Sequence, residues 1–135
     1  MLRPPRVLPS MDDPSAFFWR SGADGRLRFL RCSACWYFIH PPAPYCPRCG
    51  GRDTAPAAVS GRGKLYSYTV NHQPWDSTSE VYIIGVVAMD EQPDLRLLTN
   101  LVDVAADDAR VGMPVEVVFE DHPPVHLPMF RPATS

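Results

Sequence analysis

Residues 32–51 read CSACWYFIHPPAPYCPRCGG and contain every cysteine of the chain, in two Cys-x-x-Cys pairs separated by ten residues. Each pair can form a tight turn that presents two sulfur atoms, so Cys32, Cys35, Cys46 and Cys49 suit one tetrahedral metal ion. Four sulfurs complete the coordination shell of Zn²⁺ and leave no position for a substrate. The spacing therefore predicts a structural zinc ion in a compact ribbon.

Other uses of these thiols fit the sequence less well. Two disulfides would satisfy the count, but no signal peptide indicates an oxidising compartment. A dithiol redox site needs one reactive pair rather than two matched pairs. Iron is chemically plausible in the same four-sulfur cage and stays open as an alternative. His40 could also bind a metal, but four sulfurs are sufficient, and we expect His40 at the surface or in a hydrogen bond.

Composition indicates a small β-rich protein. The 135 residues fit one ordinary domain or two very small ones, and 45% of them are hydrophobic. No apolar run approaches the length that crosses a membrane, so we expect a cytoplasmic protein with no membrane partner. Sixteen prolines and eight glycines favour strands and turns over long helices.

The formal net charge of −2 conceals an uneven distribution. Residues 1–55 hold eight Arg and four Asp, which gives +4, whereas residues 56–135 hold five basic and eleven acidic side chains, which gives −6. Nucleic-acid-binding proteins usually carry a larger and more continuous positive face. The charge pattern therefore argues against nucleic acid as the main partner.

The pattern along the chain predicts three parts: a flexible arm at 1–11, a helix and zinc ribbon at 12–55, and a β-domain at 56–135. Asp12-Asp13-Pro14 is a typical helix start and Gly22 a plausible stop. This short helix carries Phe17, Phe18 and Trp19, which it cannot all bury against one small ribbon. We expect one or more of them at a partner interface, although packing of Phe18 on the ribbon is the simpler alternative.

Alternating and apolar runs predict the strands. In the ribbon they are Leu27–Arg31 and Trp36–His40, followed by a linker at Asp53–Val59. In the β-domain they are Lys64–Asn71, Tyr82–Met89 (covered on both sides), Leu95–Val102, Val115–Glu120 and Leu127–Arg131, with a turn at Asp90–Asp94 and a helical turn at Ala105–Arg110. Five short strands suit a five-stranded barrel of the OB type.

These segments resemble the family of zinc-ribbon/OB-fold proteins catalogued as domain of unknown function thirty-five. The resemblance extends over nearly the whole chain from Asp12. It is carried by Phe17-Phe18-Trp19, Leu30–Cys35, Pro41-Pro42, Cys46–Gly50, Ser60–Thr69, Gly85-Val86-Val87, Thr99–Val102, Val111–Val117 and Pro128–Pro132. The Asp90–Asp94 turn departs from the glycine-containing turn common in the family, which bears on the choice of partner rather than on the fold.

The resemblance implies a non-catalytic accessory subunit of a lyase- or thiolase-type complex. Its partner would be a thiolase-like lipid-transfer enzyme of acyl-CoA metabolism, such as an aldolase acting on steroid side-chain CoA thioesters, with the acyl-CoA at a shared site. No hydratase domain accompanies the barrel in this sequence, so we expect any hydratase to be a separate chain. Arg20, Arg28 and Arg31 could meet the phosphates of coenzyme A.

Two other functions also fit the sequence. Tyr66, Tyr68 and Trp75 could stack single-stranded bases on the barrel. A free-standing acyl-CoA-binding protein or enzyme is the other rival, but no histidine lies in a recognisable catalytic motif, and His122 and His126 fall in a proline-rich stretch that looks like a loop. We therefore assign no catalytic residue and expect no catalysis by the chain alone.

Overall fold

The computed structural model describes residues 8–9, 16–72 and 81–133. The predicted helix start at 12–14 and most of the arm lie outside these residues. The described chain begins with a one-turn helix, α1, at Ala16–Arg20, which continues into a 3₁₀ turn at Ser21–Asp24. The strands that follow are β1 (Arg28–Cys32), β2 (Phe38–Ile39), β3 (Thr54–Ala58), β4 (Arg62–Asn71), β5 (Tyr82–Met89), β6 (Arg96–Leu101), β7 (Pro114–His122) and β8 (Val125–Pro132).

The ribbon is a three-stranded sheet in the order β2-β1-β3. Its third strand was predicted as a linker, which was wrong, because β3 pairs with β1 from Arg28↔Ala58 to Cys32↔Thr54. Pro56 in that segment reads as a strand breaker, but β3 lies at the edge of the sheet. A proline is tolerated there because an edge strand can leave one side of its backbone unpaired.

The second sheet closes into a barrel in the order β4-β5-β6-β8-β7, which confirms the five-stranded OB-type prediction. Strands β4 and β7 pair at Arg62↔Glu116, and β6 meets β8 in parallel at Leu101↔Phe130. After the exposed Tyr82, the residues of β5 alternate between fully and partly buried, so this strand is covered more completely on its inner face. Closure removes the free edges that would otherwise invite aggregation.

One hydrophobic core joins helix, ribbon and barrel. Phe18 of α1 and Phe29 of β1 lie in the same buried cluster as Leu65, Val115 and Phe130 of the barrel. The ribbon is therefore attached to the barrel by a shared apolar interior and not by a linker alone. Such continuity fixes the orientation of the ribbon, since its displacement would expose aromatic surface.

Two histidines are placed in strands rather than in the predicted loop. His122 ends β7 and His126 lies in β8, and the intervening prolines form the turn of an antiparallel hairpin. The prolines punctuate the hairpin instead of preventing it, because they occupy the turn and not a paired position. Among the described residues, no helix has the length and hydropathy that a membrane crossing requires.

Candidate functional site

The four cysteines converge at one end of the ribbon. Their Sγ atoms all lie within 4.8 Å of one another, and those of Cys32 and Cys49 are 3.6 Å apart. The Sγ atoms of Cys35 and Cys46 are 3.7 Å apart. Four sulfurs at about 2.3 Å from one zinc ion would be separated by about 3.8 Å, so the cage fits a tetrahedral ion. The same separations are far longer than a disulfide bond of about 2.0 Å.

Two equivalent turns hold the sulfurs in place. In the first, Trp36 N donates to Cys32 O at 2.9 Å, and in the second, Gly50 N donates to Cys46 O at 2.8 Å. Both donors have left-handed backbone, with φ of 67° at Trp36 and 77° at Gly50. At Gly50 this positive φ is free of strain, because glycine has no Cβ.

Backbone donors favour thiolate at the first cysteine of each pair. The N–H groups of Cys35 and Ala34 lower the pKa of Cys32 to about 7. Burial of Cys46 acts in the opposite sense, but the N–H groups of Cys49 and Arg48 lower its pKa overall. Thiolate is the form that binds metal, so the turns prepare these sulfurs for a cation.

Cys49 behaves differently within the same cage. Gly51 N donates to Cys49 Sγ, which favours thiolate, yet the sulfurs of Cys35 and Cys32 outweigh this bond and raise the pKa of Cys49 to about 11. Four adjacent thiolates would repel one another. A divalent ion would offset that repulsion and favour the thiolate form of all four sulfurs.

His40 was predicted at the surface or in a hydrogen bond, but the structure places it as a partly buried residue. Its ring centroid lies 5.0 Å from that of Phe18 and 5.0 Å from that of Phe29, and its Nδ1 is buried without a hydrogen-bond partner among the described residues. Burial lowers the pKa of His40. The ring of His40 packs against Phe18 of α1 and Phe29 of β1 instead of facing solvent fully.

The three aromatic residues of α1 have different environments. Phe18 is 2% exposed and packs in the shared core, as the packing alternative predicted, whereas Phe17 and Trp19 are partly exposed at its border. Trp19 stacks edge-on against Phe18, with ring centroids 5.0 Å apart. Only Phe17 and Trp19 can therefore offer surface to a partner, and that role stays a prediction.

The three arginines considered for coenzyme A do not form one cradle. Arg28 makes a 2.6 Å salt bridge to Asp24 and also donates to Ser21 O. Arg31 lies three residues further along β1, so strand alternation directs it to the opposite face of the sheet. Arg20 ends α1 and is exposed. Coenzyme A binding by these residues stays a prediction.

The tyrosines considered for base stacking are partly engaged. The guanidinium of Arg96 lies 4.0 Å from the ring centroid of Tyr66, and Tyr68 donates its hydroxyl proton to Ala109 O at 3.2 Å. Trp75, the third candidate, lies outside the described residues.

Sequence reasoning missed the contacts of the β5–β6 turn. Gln92 accepts a bond from Phe38 N at 3.0 Å and donates one to Phe38 O at 3.1 Å, as a neighbouring strand would. Glu91 accepts from Ser60 N, and Asp94 accepts from the Tyr37 hydroxyl at 2.5 Å. The side chains of this turn thus connect the barrel to the ribbon, and we call this set of hydrogen bonds the clasp. Its polar composition, without glycine, was the one available signal.

Comparison with known proteins places this geometry in a family. Residues 19–55 match the profile described as ChsH2, rubredoxin-like zinc ribbon domain, and residues 57–120 match that of ChsH2, C-terminal OB-fold domain. A solved structure described as Ltp2-ChsH2(DUF35) aldolase contains a chain that superposes with a TM-score of 0.84 and 38% identity. The match covers 94% of this chain and 100% of that one.

Two curated relatives extend the comparison. A probable enoyl-CoA hydratase alpha subunit of Thermomonospora curvata is 39% identical over 130 residues, which are 95% of this chain and 40% of the relative. A DUF35 domain-containing scaffold protein of Methanocaldococcus jannaschii is 32% identical over 93 residues, which are 67% of this chain and 64% of the relative. The chain thus spans less than half of the hydratase subunit. With both profiles and the superposed aldolase chain in agreement, this chain belongs to the DUF35 family of zinc-ribbon and OB-fold proteins.

Proposed function

We propose that this chain is a non-catalytic accessory subunit that binds and stabilises a thiolase-like enzyme of acyl-CoA metabolism. The observation that carries the proposal is that the DUF35 chain of a solved aldolase structure superposes on this protein over the full length of that chain. The scaffold and hydratase-subunit relatives support the same role.

The cysteine cage supplies the structural part of this role. We assign Cys32, Cys35, Cys46 and Cys49 as ligands of one zinc ion, because four sulfurs at these separations fit its tetrahedral shell. The ion would carry no reaction, since no ligand position remains for a substrate. Its contribution would be to hold the two turns and the strands between them in one rigid surface.

The barrel would shape or cover the channel through which the partner receives its acyl-CoA. The resemblance favours a steroid side-chain thioester as the acyl group and a separate chain for any hydratase. The shared core and the clasp at the β5–β6 turn support a rigid role, because both fix the ribbon against the barrel.

Co-purification tests the proposal. The chain is tagged in its own cells and recovered gently, and the co-eluting proteins are identified and counted by mass spectrometry. We expect a thiolase-like enzyme in stoichiometric amount, with aldolase, thiolase or hydratase activity in the complex and none in the isolated chain. Recovery of the chain alone, or turnover of acyl-CoA by the chain alone, would contradict an accessory role.

The helix surface is tested in the same experiment. Because Phe18 is buried, its replacement would damage the core, so the informative variant is Phe17→Ala together with Trp19→Ala. Loss of the partner with unchanged zinc content and circular dichroism would place the helix at the interface. Undiminished recovery would remove α1 from the interface without affecting the accessory role.

A further inference from the structure

The two metal-binding turns differ at the residue that follows the second cysteine. Trp36 and Gly50 both follow the second cysteine of a pair, both close the turn by donating to the first cysteine, and both have positive φ. Glycine adopts this backbone at no steric cost, whereas a residue with a Cβ is strained there. The first turn therefore carries a bulky aromatic residue at a position where the second turn shows that glycine is sufficient to close the turn.

The strained tryptophan does not serve the core. Its side chain is 62% exposed, and Trp36 is absent from the buried clusters of ribbon and barrel. Backbone strain that brings no internal packing is typical of functional positions. An exposed indole is also among the side chains that contribute most at protein interfaces.

Arg31 holds the indole in a defined orientation. Its guanidinium carbon lies 4.8 Å from the Trp36 ring centroid and 4.9 Å from that of Phe38, and its Nε donates to Trp36 O at 3.0 Å. Its Nη groups donate no hydrogen bond within the described part of the chain. They can donate to the two oxygens of a carboxylate on another molecule, in the planar geometry that arginine favours.

The net charge of the ribbon indicates what kind of surface it binds. Residues 16–55 contain six arginines and two aspartates, a formal +4 that four thiolates and a divalent ion would reduce to about +2. The ribbon thus complements an acidic surface, while the rest of the chain does not. Nucleic acid fits less well, because Arg31 already covers one face of the indole and the carboxylate of Asp94 is bonded to the neighbouring Tyr37.

We propose that Trp36 and Arg31 form the anchor by which the ribbon docks on its partner enzyme. The indole would enter an apolar pocket of the partner, and the free Nη groups of Arg31 would bind a carboxylate at the rim of that pocket. This inference rests on the proposed function, since it names the surface through which the accessory subunit binds.

Substitution at the strained position provides a direct test. Trp36→Gly removes the indole and gives the first turn the residue of the second, so the ribbon should keep its fold and metal. Trp36→Asn is a second variant, because asparagine also tolerates positive φ. Each zinc-loaded chain is titrated by calorimetry into the purified thiolase-like enzyme that co-purifies with the wild type. We expect both variants to bind at least about 30-fold more weakly, the loss typical of an interface anchor.

Two further variants separate the anchor from general effects. Arg31→Gln keeps a planar group against the rings but loses the charge, and should weaken binding about tenfold. The matched control is Tyr66→Ala, which removes a 50% exposed ring that also bears a stacked arginine but lies on the barrel. Its affinity should equal that of the wild type.

Each outcome decides between the two proposals. Weak binding by both Trp36 variants, with zinc content, circular dichroism and Tyr66→Ala binding unchanged, supports the anchor. Equal binding by wild type and both Trp36 variants overturns the anchor and leaves the accessory role intact. If the wild type binds no enzyme, or binds a single-stranded oligonucleotide through Trp36 instead, both the anchor and the accessory role fail.

Discussion

Gly50 and Trp36 allow the energetic cost of a positive φ in a metal-binding turn to be measured. An ideal Cβ on Gly50 would meet no atom within 4 Å, so Gly50→Ala tests the left-handed conformation without a steric clash. We expect this variant to lower the free energy of unfolding of the metal-loaded protein by about 1 kcal/mol. At the first turn the same quantity should appear as the difference between Trp36→Ala and Trp36→Gly, with the glycine variant the more stable. Urea unfolding measures all three variants, and equal stability of the two Trp36 variants would disprove strain at this position.

His40 gives the stability of the fold a dependence on pH. Burial lowers its pKa in the folded state, so the unfolded chain binds the proton more readily. The free energy of unfolding should therefore fall as pH drops below about 6.5, with a slope of up to about 1.4 kcal/mol per pH unit until the folded-state pKa is reached. Above pH 7 this contribution is fully present.

The variant His40→Phe isolates this effect. It retains an aromatic ring between Phe18 and Phe29 and removes the titrating group and its unpartnered Nδ1. Denaturant unfolding of both proteins between pH 5 and 8 should show the wild type losing stability relative to the variant as pH falls. A constant difference across that range would mean that His40 does not titrate differently on unfolding.

At the scale of elements, the β5–β6 turn controls how the ribbon sits on the barrel. The side chain of Gln92 bonds both backbone groups of Phe38 on the edge strand β2. Gln92→Ala removes two hydrogen bonds and should lower the free energy of unfolding by about 2 kcal/mol, with faster hydrogen exchange at the Phe38 amide. Gln92→Glu keeps the acceptor for Phe38 N but not the donor for Phe38 O, so its loss should be about half. An Ala variant as stable as the wild type would show that the clasp adds nothing to the shared core.

The elements also show where reading the sequence succeeds and where it stops. The bounds of β5 were predicted without error, because an apolar run between turns depends on local pattern alone. The strand β3 was missed because Pro56 reads as a breaker, and its place at the sheet edge is known only once β1 has its neighbours. The clasp of Gln92 joins residues 54 apart in sequence, for which no local pattern exists.

In the candidate site, too, features set by local sequence could be predicted and features set by contacts between distant elements could not. The cysteine cage follows from spacing, since two short turns and one ion leave few arrangements. The environments of Phe18 and His40 do not follow from spacing, because they depend on the junction of helix, ribbon and barrel. Trp36 could have been noticed by aligning the two Cys-x-x-Cys turns, where it stands opposite Gly50.

Across the whole molecule, the metal and the barrel are coupled through the shared core. Around the cage, the described residues form a separate small cluster of three buried side chains, Cys32, Ile39 and Cys46, with Leu30, Cys35, Tyr37 and Ala43 partly buried against it. This is too little apolar surface to hold the turns without an ion. Phe29 and Phe38 of the same ribbon belong to the barrel's core instead. Loss of the ion should therefore loosen the ribbon and expose aromatic surface that the barrel needs. Chelation should lower the melting temperature of the whole chain in one transition, and one equivalent of zinc should restore it; a barrel that melts unchanged after the metal is removed would show that ribbon and barrel fold independently.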